Sequence, residues 1–445
     1  MTDNFKRPNI IFIVADDLGF ADLGCYDGRE AEFGPVSPVL DRLAAAGLKF
    51  TQGYSNSPVC SPTRFALMTA RWQYRLRGAA EEPINSKSKG STTLGLAPEH
   101  PTLPSLLRGA GYRTALMGKW HLGYPPVFGP QKSGYEEFFG PMSGGVDYFT
   151  HCSNNGTHDL YLGDAEHHAK GYLTDLITER SIDCVQRMAP GAHAGTPFFL
   201  SVHYTAPHWP WETRDDAALA PELAANLFHL HGGNIHTYRR MIHHMDEGIG
   251  RIVETLRAQG LLDDTLIVFT SDNGGERFSD NWPLVGGKMD LTEGGIRVPW
   301  IAHWPAMIAP GGVSTQACLT MDWSATMLAA AGVAAHPDYP LDGVSLLPVL
   351  RNPSATFDRP LFWRMNHRGQ RAHRDGDWKY LRVDGHDYLF NIPADQRERA
   401  NLAAREPERL DAMRAAWETW EATMPPIPAD ATVSLGYGPK DMPQR

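Results

Sequence analysis

The chain has no long hydrophobic run. Nowhere do its apolar residues approach the ~18 in succession that a membrane span needs. Its start, Met1-Thr2-Asp3-Asn4-Phe5-Lys6-Arg7-Pro8, also lacks the apolar core of a secretory leader. A cytoplasmic protein is expected, or a periplasmic one if a leader was cleaved, and no membrane partner is expected. Dense lysine or arginine runs are missing too. With 41 basic against 51 acidic side chains, the formal net charge of −10 gives no footprint for a phosphate backbone, which excludes nucleic acid as the expected partner. Cysteine is scarce. Cys25, Cys60, Cys152, Cys184 and Cys318 are odd in number and never fall in C-x-x-C spacing, so neither a disulfide framework nor a thiolate zinc site is suggested. There is no internal repeat and no low-complexity segment.

What is present suits a folded globule, with 42% hydrophobic and 21% charged residues. At 445 residues the chain is too long for one ordinary core. A large domain over 1–340 and a smaller one over 341–445 are expected. Asn9–Ala15 is a continuous, β-branched apolar run that reads as a strand buried on both faces. Similar runs occur at 114–117, 198–202, 266–270 and 298–302. The last contains Pro299 and is placed nearer a sheet edge. Helical patterns lie between them at 39–46, 103–110, 174–188 and 238–259. Alternation of this kind predicts an α/β fold, a large, mainly parallel (mixed) sheet sandwiched by helices. After Leu341 the pattern changes. Short runs at 360–364, 370–374, 378–382 and 387–390, split by Arg368-Gly369, Asp375-Gly376-Asp377 and Asp384-Gly385, predict a small antiparallel sheet, with a helix over 407–422 to cover it. The tail after Pro425 reads as extended, or as an arm on a partner subunit, leaving room for a homo-oligomer.

Ligands of open α/β sheets bind outside the carboxyl ends of the strands. The residues following the predicted strands are Asp16-Asp17, then Lys119-Trp120-His121, then Pro207-His208-Trp209-Pro210, then Asp272-Asn273-Gly274-Gly275. Asp16, Asp17, Asp272 and Asn273 together offer three carboxylates and an amide oxygen, a donor set for a hard cation such as calcium or magnesium. Taken singly, Asp16 and Asp272 could equally cap following helices. Cys60-Ser61-Pro62-Thr63-Arg64 reads as a helix start, which favours an anion at residue 60 with a guanidinium one turn on. Lys119, His121, His208 and Lys288 are each compatible with ordinary polar roles; gathered, they form a cationic cluster for a tetrahedral oxyanion.

Cys60-Ser61-Pro62-Thr63-Arg64 resembles the C-x-P-x-R signature of the type I, formylglycine-dependent sulfatases of the alkaline phosphatase superfamily. The segments 8–19, 118–123, 206–210, 270–275 and 293–299 resemble the family's other motifs in the same order, and 377–380 and 388–391 resemble its C-terminal part. The resemblance implies conversion of Cys60 to Cα-formylglycine by a formylglycine-generating enzyme. It also implies one calcium, with magnesium as the alternative, held by Asp16, Asp17, Asp272, Asn273 and residue 60. By the same carry-over, Arg64 and His121 steady the hydrated aldehyde, and Lys119, His208 and Lys288 bind the sulfate and leaving oxygen. Asp272 also assists proton removal from the nucleophile. The implied activity is hydrolysis of an aryl or carbohydrate sulfate monoester through a covalent sulfo-enzyme. Two rivals are a phosphonate monoester or phosphodiester hydrolase of the same superfamily, in which the second metal pair looks like Asp-His, and a silent metal-binding member. The segments 142–151 and 77–95 are expected to wall the pocket, with Asp147, His151 and Trp209 as candidate substrate contacts. Tyr148 and Phe149 could equally pack against the core.

Overall fold

The computed structural model describes residues 6–28, 30–76, 84, 88–153, 156–224 and 233–429. The chain's first five residues, most of 77–87 in the expected pocket wall, and the tail from 430 lie outside the described residues. Among the described residues no helix is long and apolar enough to cross a membrane.

In chain order the strands of the main body are β1 (Asn9–Ala15), β2 (Leu48–Phe50), β3 (Gly53–Tyr54), β4 (Arg113–Gly118), β5 (Glu137–Gly140), β6 (Tyr161–Leu162), β7 (Ala165–Glu166), β8 (Phe198–His203), β9 (Thr265–Ser271), β10 (Trp300–His303), β11 (Gly312–Ser314) and β12 (Cys318–Leu319). Ten of them form one sheet in the order β11-β2-β10-β9-β1-β8-β4-β5-β6-β7, while β3 and β12 pair apart from it. The central ladders β9·β1, β1·β8, β8·β4 and β4·β5 are parallel. Strand β10 runs antiparallel to both of its neighbours, so the sheet is mixed. Pro299 immediately precedes β10 and sits outside its ladder. The strand is therefore third from the sheet's edge, without losing a hydrogen bond to the proline.

Every residue of β1 is buried, as its unbroken apolar run predicts. The side chains alternate between two cores. Ile11, Ile13 and Ala15 face the one covered by the long helices Leu173–His193 and Ile235–Ala258. Ile10, Phe12 and Val14 face the one closed by the Leu103–Gly109 and Thr320–Ala330 helices. Both long helices exceed their sequence-predicted bounds. The second starts one turn early because the Asn234 side chain accepts from the N–H groups of His236 and Thr237, a cap that the apolar periodicity does not reveal.

The C-terminal sheet is a four-strand antiparallel meander: β13 (Leu361–Met365), β14 (Gln370–Asp375), β15 (Trp378–Val383) and β16 (His386–Asn391). The Pro407–Glu421 helix packs on it through Met413, Trp417 and Trp420. The core of this unit includes Tyr54, Val59 and Ala66 from the main body. Conversely Leu346, Val349 and Leu350, beyond residue 341, belong to the core beneath the large sheet. The two units are thus fused across a shared interior.

Candidate active site

Strands β9, β1, β8 and β4 are parallel neighbours, so their carboxyl ends meet at one edge of the sheet. Each delivers chemistry there at its last residue or just beyond it: Asp272 and Asn273 after β9, Asp16 and Asp17 after β1, His203 ending β8, and Lys119 and His121 after β4. Asp17 and His121 have left-handed backbone, φ 64° and 59°, which bulky side chains rarely adopt and which marks both turns as held by their surroundings.

Facing this edge is the buried Cys60–Thr69 helix, with Cys60 as its first residue. The Cys60 sulfur lies with ligand atoms of Asp16, Asp17 and His208 in a set mutually within 4.8 Å. One turn on, Arg64 donates to Asp272 Oδ2 from Nε at 3.1 Å and Nη2 at 2.8 Å, and Nη1 donates to the Lys119 carbonyl at 3.1 Å. The Lys119 ammonium donates to Asp16 Oδ2. Lys288 donates to Asp17 Oδ2 at 2.7 Å, and His208 Nε2 stands 3.5 Å from that oxygen. Asn273 Nδ2 donates to Asp17 Oδ1 at 2.7 Å, and the Asp17 N–H reaches Asp272 Oδ1 at 3.3 Å. The eight residues expected to hold metal or anion, together with Cys60 and His121, therefore gather at one point.

Two buried oxygens in this cluster, Asp16 Oδ1 and Asn273 Oδ1, have no hydrogen-bond partner. A buried acceptor without a donor is costly, and a hard cation, for which carboxylate and amide oxygens are the proper donors, would satisfy both. Burial, and then the adjacent Asp272 carboxylate, hold Asp16 well above the usual carboxylate range. For Asp272 burial acts upward, but Arg64 and Lys119 outweigh it and the group lies below that range. The Cys60 thiol is pushed up to about 12, chiefly by burial, against the pull of Lys119 and Lys288. A thiol so placed has almost no thiolate at neutral pH and is a poor nucleophile in its own right. His208 is held well below the ordinary imidazole range by burial, then by Lys288 and Lys119. Its Nδ1 contacts the Trp209 carbonyl at 2.7 Å, so Nδ1 carries the hydrogen and Nε2 is left facing the cluster. His121 contacts the Ile84 carbonyl through Nε2, and its Nδ1 is unpartnered.

The expected specificity residues have varied positions. Trp209 packs on His208 at 4.2 Å between ring centroids and so lies beside the cluster. Asp147 is fully buried and its Oδ1 is occupied within its own turn, accepting from Phe149 N, Thr150 N and Thr150 Oγ1. His151 is buried with Nε2 against the Gly171 carbonyl. Tyr148 and Phe149 do pack in the core, stacked or tilted on Tyr172. Within 142–151 it is Gly144 and Gly145 that lie against the cluster's side chains. A Cβ at Gly144 would strike the His121 ring, and one at Gly145 would crowd Trp209 and His208 at 3.0 and 3.1 Å.

Two residues escaped the reading of the sequence. His203 holds Nδ1 3.2 Å from both Arg64 Nη1 and the Lys119 carbonyl, and burial followed by Arg64 depresses it to about 3. It directly follows the predicted run 198–202 and is the last residue of β8, whereas the chemistry expected after that run was placed at Pro207 and beyond. Glu276, after Gly274-Gly275, accepts a hydrogen bond from Trp209, and burial raises it to about 7 despite Lys288 nearby. Only its position three residues past Asn273 could have drawn attention.

Comparison with known proteins agrees with this geometry. The Sulfatase family model matches residues 8–333, a span containing every residue of the cluster. N-acetylgalactosamine-6-sulfatase of Homo sapiens is 34% identical over 380 residues, covering 80% of this chain and 68% of the relative. Arylsulfatase A of Homo sapiens is 31% identical over 446 residues, covering 91% and 81%. The crystal structure of Ps i-CgsB in complex with k-i-k-neocarrahexaose matches with a TM-score of 0.81 at 31% identity, over 93% of this chain and 92% of that one. With the strand-end cluster inside the matched span, the chain belongs to the sulfatase family and is a hydrolase of sulfuric esters.

Proposed function

We propose that this sulfatase removes sulfate from saccharide sulfate esters, with residue 60 working as Cα-formylglycine and one calcium held by Asp16, Asp17, Asp272, Asn273 and residue 60. The observation carrying this reading is the placement of Cys60, a thiol unsuited to attack, among the ligand atoms of Asp16, Asp17 and His208. The formylglycine hydrate supplies a diol oxygen as nucleophile and a second hydroxyl whose deprotonation releases sulfate; the cation supplies positive charge and satisfies the orphaned oxygens.

The chain's own residues do the rest. A sulfate ester resists attack because its oxygens are already negative, so the pocket must concentrate positive charge away from water. Lys119, Lys288 and Arg64 do this from buried positions. Lys119 and Lys288 bind sulfate oxygens, while Arg64 is committed to Asp272 and fixes its orientation. Asp272, held ionised by that contact, can take the proton of the attacking hydroxyl. His208 Nε2 is aimed at the cluster, and sulfate entering beside Lys288 and Lys119 offsets the two cations that depress it, so it can carry the proton for the leaving oxygen. Because Cys60 is only 3% exposed, its maturation must precede closure of the fold.

The saccharide class is supported by the relatives named above, one an N-acetylgalactosamine-6-sulfatase and one a solved structure with a neocarrahexaose. Asn273, where the phosphonate hydrolases carry His, favours sulfur over phosphorus. Peptide mass spectrometry around residue 60 and rates on an aryl sulfate, an aryl phosphonate and a panel of sulfated saccharides test the reading. Formylglycine with sulfate-ester preference is expected. An unmodified thiol in fully active protein, or preference for the phosphorus esters, would overturn it.

A further inference from the structure

Trp282 is 56% exposed, the most exposed of the large hydrophobic residues described. The others among the described residues, Leu162, Leu219 and Val313, belong to segments distant from it in sequence. Arg397, from the C-terminal unit, sits over the Trp282 ring at 4.6 Å from its centroid and forms no salt bridge among the described residues. An isolated indole backed by an uncommitted guanidinium combines an apolar plate with an anion receptor.

The pair is anchored to the catalytic edge from both sides. Trp282 lies between Asn273 and Lys288 in sequence. Its neighbour Asn281 accepts from Phe20 N and Gly275 N, and donates to the carbonyls of Gly275 and Gly286. The Asp280 carbonyl accepts from Ala21 N. The loop is thereby tied to the turn after Asp16-Asp17 and to the glycines beside Lys288. On the other side, Glu398 adjoins Arg397 and accepts from Glu293 N at 2.6 Å while pairing with Lys379 at 2.9 Å. Both halves are thus set before any ligand arrives.

We propose that Trp282 and Arg397 form a subsite for a second, anionic sugar residue of the substrate, next to the one whose sulfate is removed. The C–H face of a pyranose packs on the open indole face, and the guanidinium takes a sulfate or carboxylate of that sugar. This rests on the saccharide-sulfatase reading above.

The test compares the mature enzyme with Trp282→Ala and Arg397→Ala on three probes: 4-nitrocatechol sulfate, sulfated monosaccharides, and glycosaminoglycan and sulfated galactan oligosaccharides of two to six residues. Both side chains lie outside the buried cluster, so aryl sulfate turnover should stay within twofold of wild type. On the best oligosaccharide each substitution should lower kcat/KM about tenfold, mainly through KM. Arg397→Ala should lose its effect on an oligosaccharide whose neighbouring sugar is neutral. The subsite is overturned if wild type gains nothing from a second sugar, if it turns over the aryl ester but no oligosaccharide, or if both variants match wild type on every probe. Loss of aryl sulfate turnover in wild type itself would instead remove the function on which the subsite depends.

Discussion

Arg64 and Asp272 form a buried, two-pronged contact in which Nε and Nη2 both reach Oδ2, at 3.1 and 2.8 Å. The arginine comes from the helix that starts at Cys60 and the aspartate from the end of β9, so this contact fixes that helix against the strand-end carboxylates. Lysine in place of arginine keeps the charge but offers a single nitrogen, and it also gives up the Nη1 contact with the Lys119 carbonyl. Arg64→Lys should lower kcat by about a hundredfold or more, and Arg64→Ala should also destabilise the fold by about 3–5 kcal/mol, because Asp272 is left buried and unpaired. Steady-state rates and urea midpoints check both; unchanged kcat in Arg64→Lys would show that the double contact has no role in the reaction.

Calcium should stabilise the protein measurably. Lys119 and Lys288 pair with the very carboxylates that would hold the ion, and Asp16 Oδ1 and Asn273 Oδ1 have no hydrogen-bond donor among the described residues. At a free calcium concentration one hundred times Kd the gain is about 2.7 kcal/mol, seen as a rise in Tm and a loss of activity on chelation. Asp16→Asn should shrink the rise without abolishing folding. Equal Tm with and without calcium, in protein first stripped by chelator, would refute the site.

Stability should fall on the alkaline side through Glu212. This fully buried carboxyl is raised to about 9, by burial first and then by Asp147, to which it is hydrogen-bonded. Asp147 Oδ2 and Glu212 Oε1 have no other partner, so one proton held between the two acids satisfies both. The folded state keeps that proton while the unfolded chain loses it above its ordinary glutamate value of 4.5. The stabilisation is therefore complete below about pH 4.5 and is lost as pH rises toward 9, with a slope of up to about 1.4 kcal/mol per pH unit from this group. Glu212→Gln donates an N–H at any pH and should flatten that limb of the stability curve. An unchanged slope in the variant would assign it to other groups.

The sheet's central strands were readable because a strand buried on both faces is apolar along its middle, as residues 10–15 and 266–269 are. Asp16, Asp17, Lys119, Asp272 and Asn273 were readable as one group because the parallel topology leaves each directly after a strand. Other features depend on partners distant in sequence. Nothing local to Asp147 shows that Glu212 completes its hydrogen bonding, and nothing near Trp282 shows that Arg397 lies on its ring. The start of the Ile235–Ala258 helix was missed because a polar cap, not an apolar residue, sets it. Gly144 was read as part of a variable loop, whereas it is a spacer without which the His121 ring would have to move.

Lys379, on β15, tests whether the C-terminal sheet is part of the catalytic fold. It is fully buried and pairs with Glu293 at 3.0 Å and Glu398 at 2.9 Å; Glu293 opens the short turn leading to β10, and Tyr54 also donates to it. Burial pushes Glu398 up to about 7 even beside the lysine. Nearby, Gln370 on β14 accepts from Leu291 N and donates to the Met289 carbonyl, and Met289 N bonds to the Pro58 carbonyl. The sheet thus grips the segment carrying Lys288 and, through it, the loop before Cys60. Lys379→Ala should cost about 3–5 kcal/mol by leaving buried Glu398 without its cation and Glu293 with only the more distant Arg297 and Arg374. Because the sheet shares a core with Tyr54, Val59 and Ala66, the loss should move the whole unfolding transition and not split it. Lys379→Met, which keeps the apolar stem, should be nearly as damaging, since the lost buried charge pairing and not the lost packing dominates. Tryptophan fluorescence and residual activity followed together through urea decide the matter. Coincident midpoints are expected; an early fluorescence transition with activity intact would make the C-terminal sheet an independent domain.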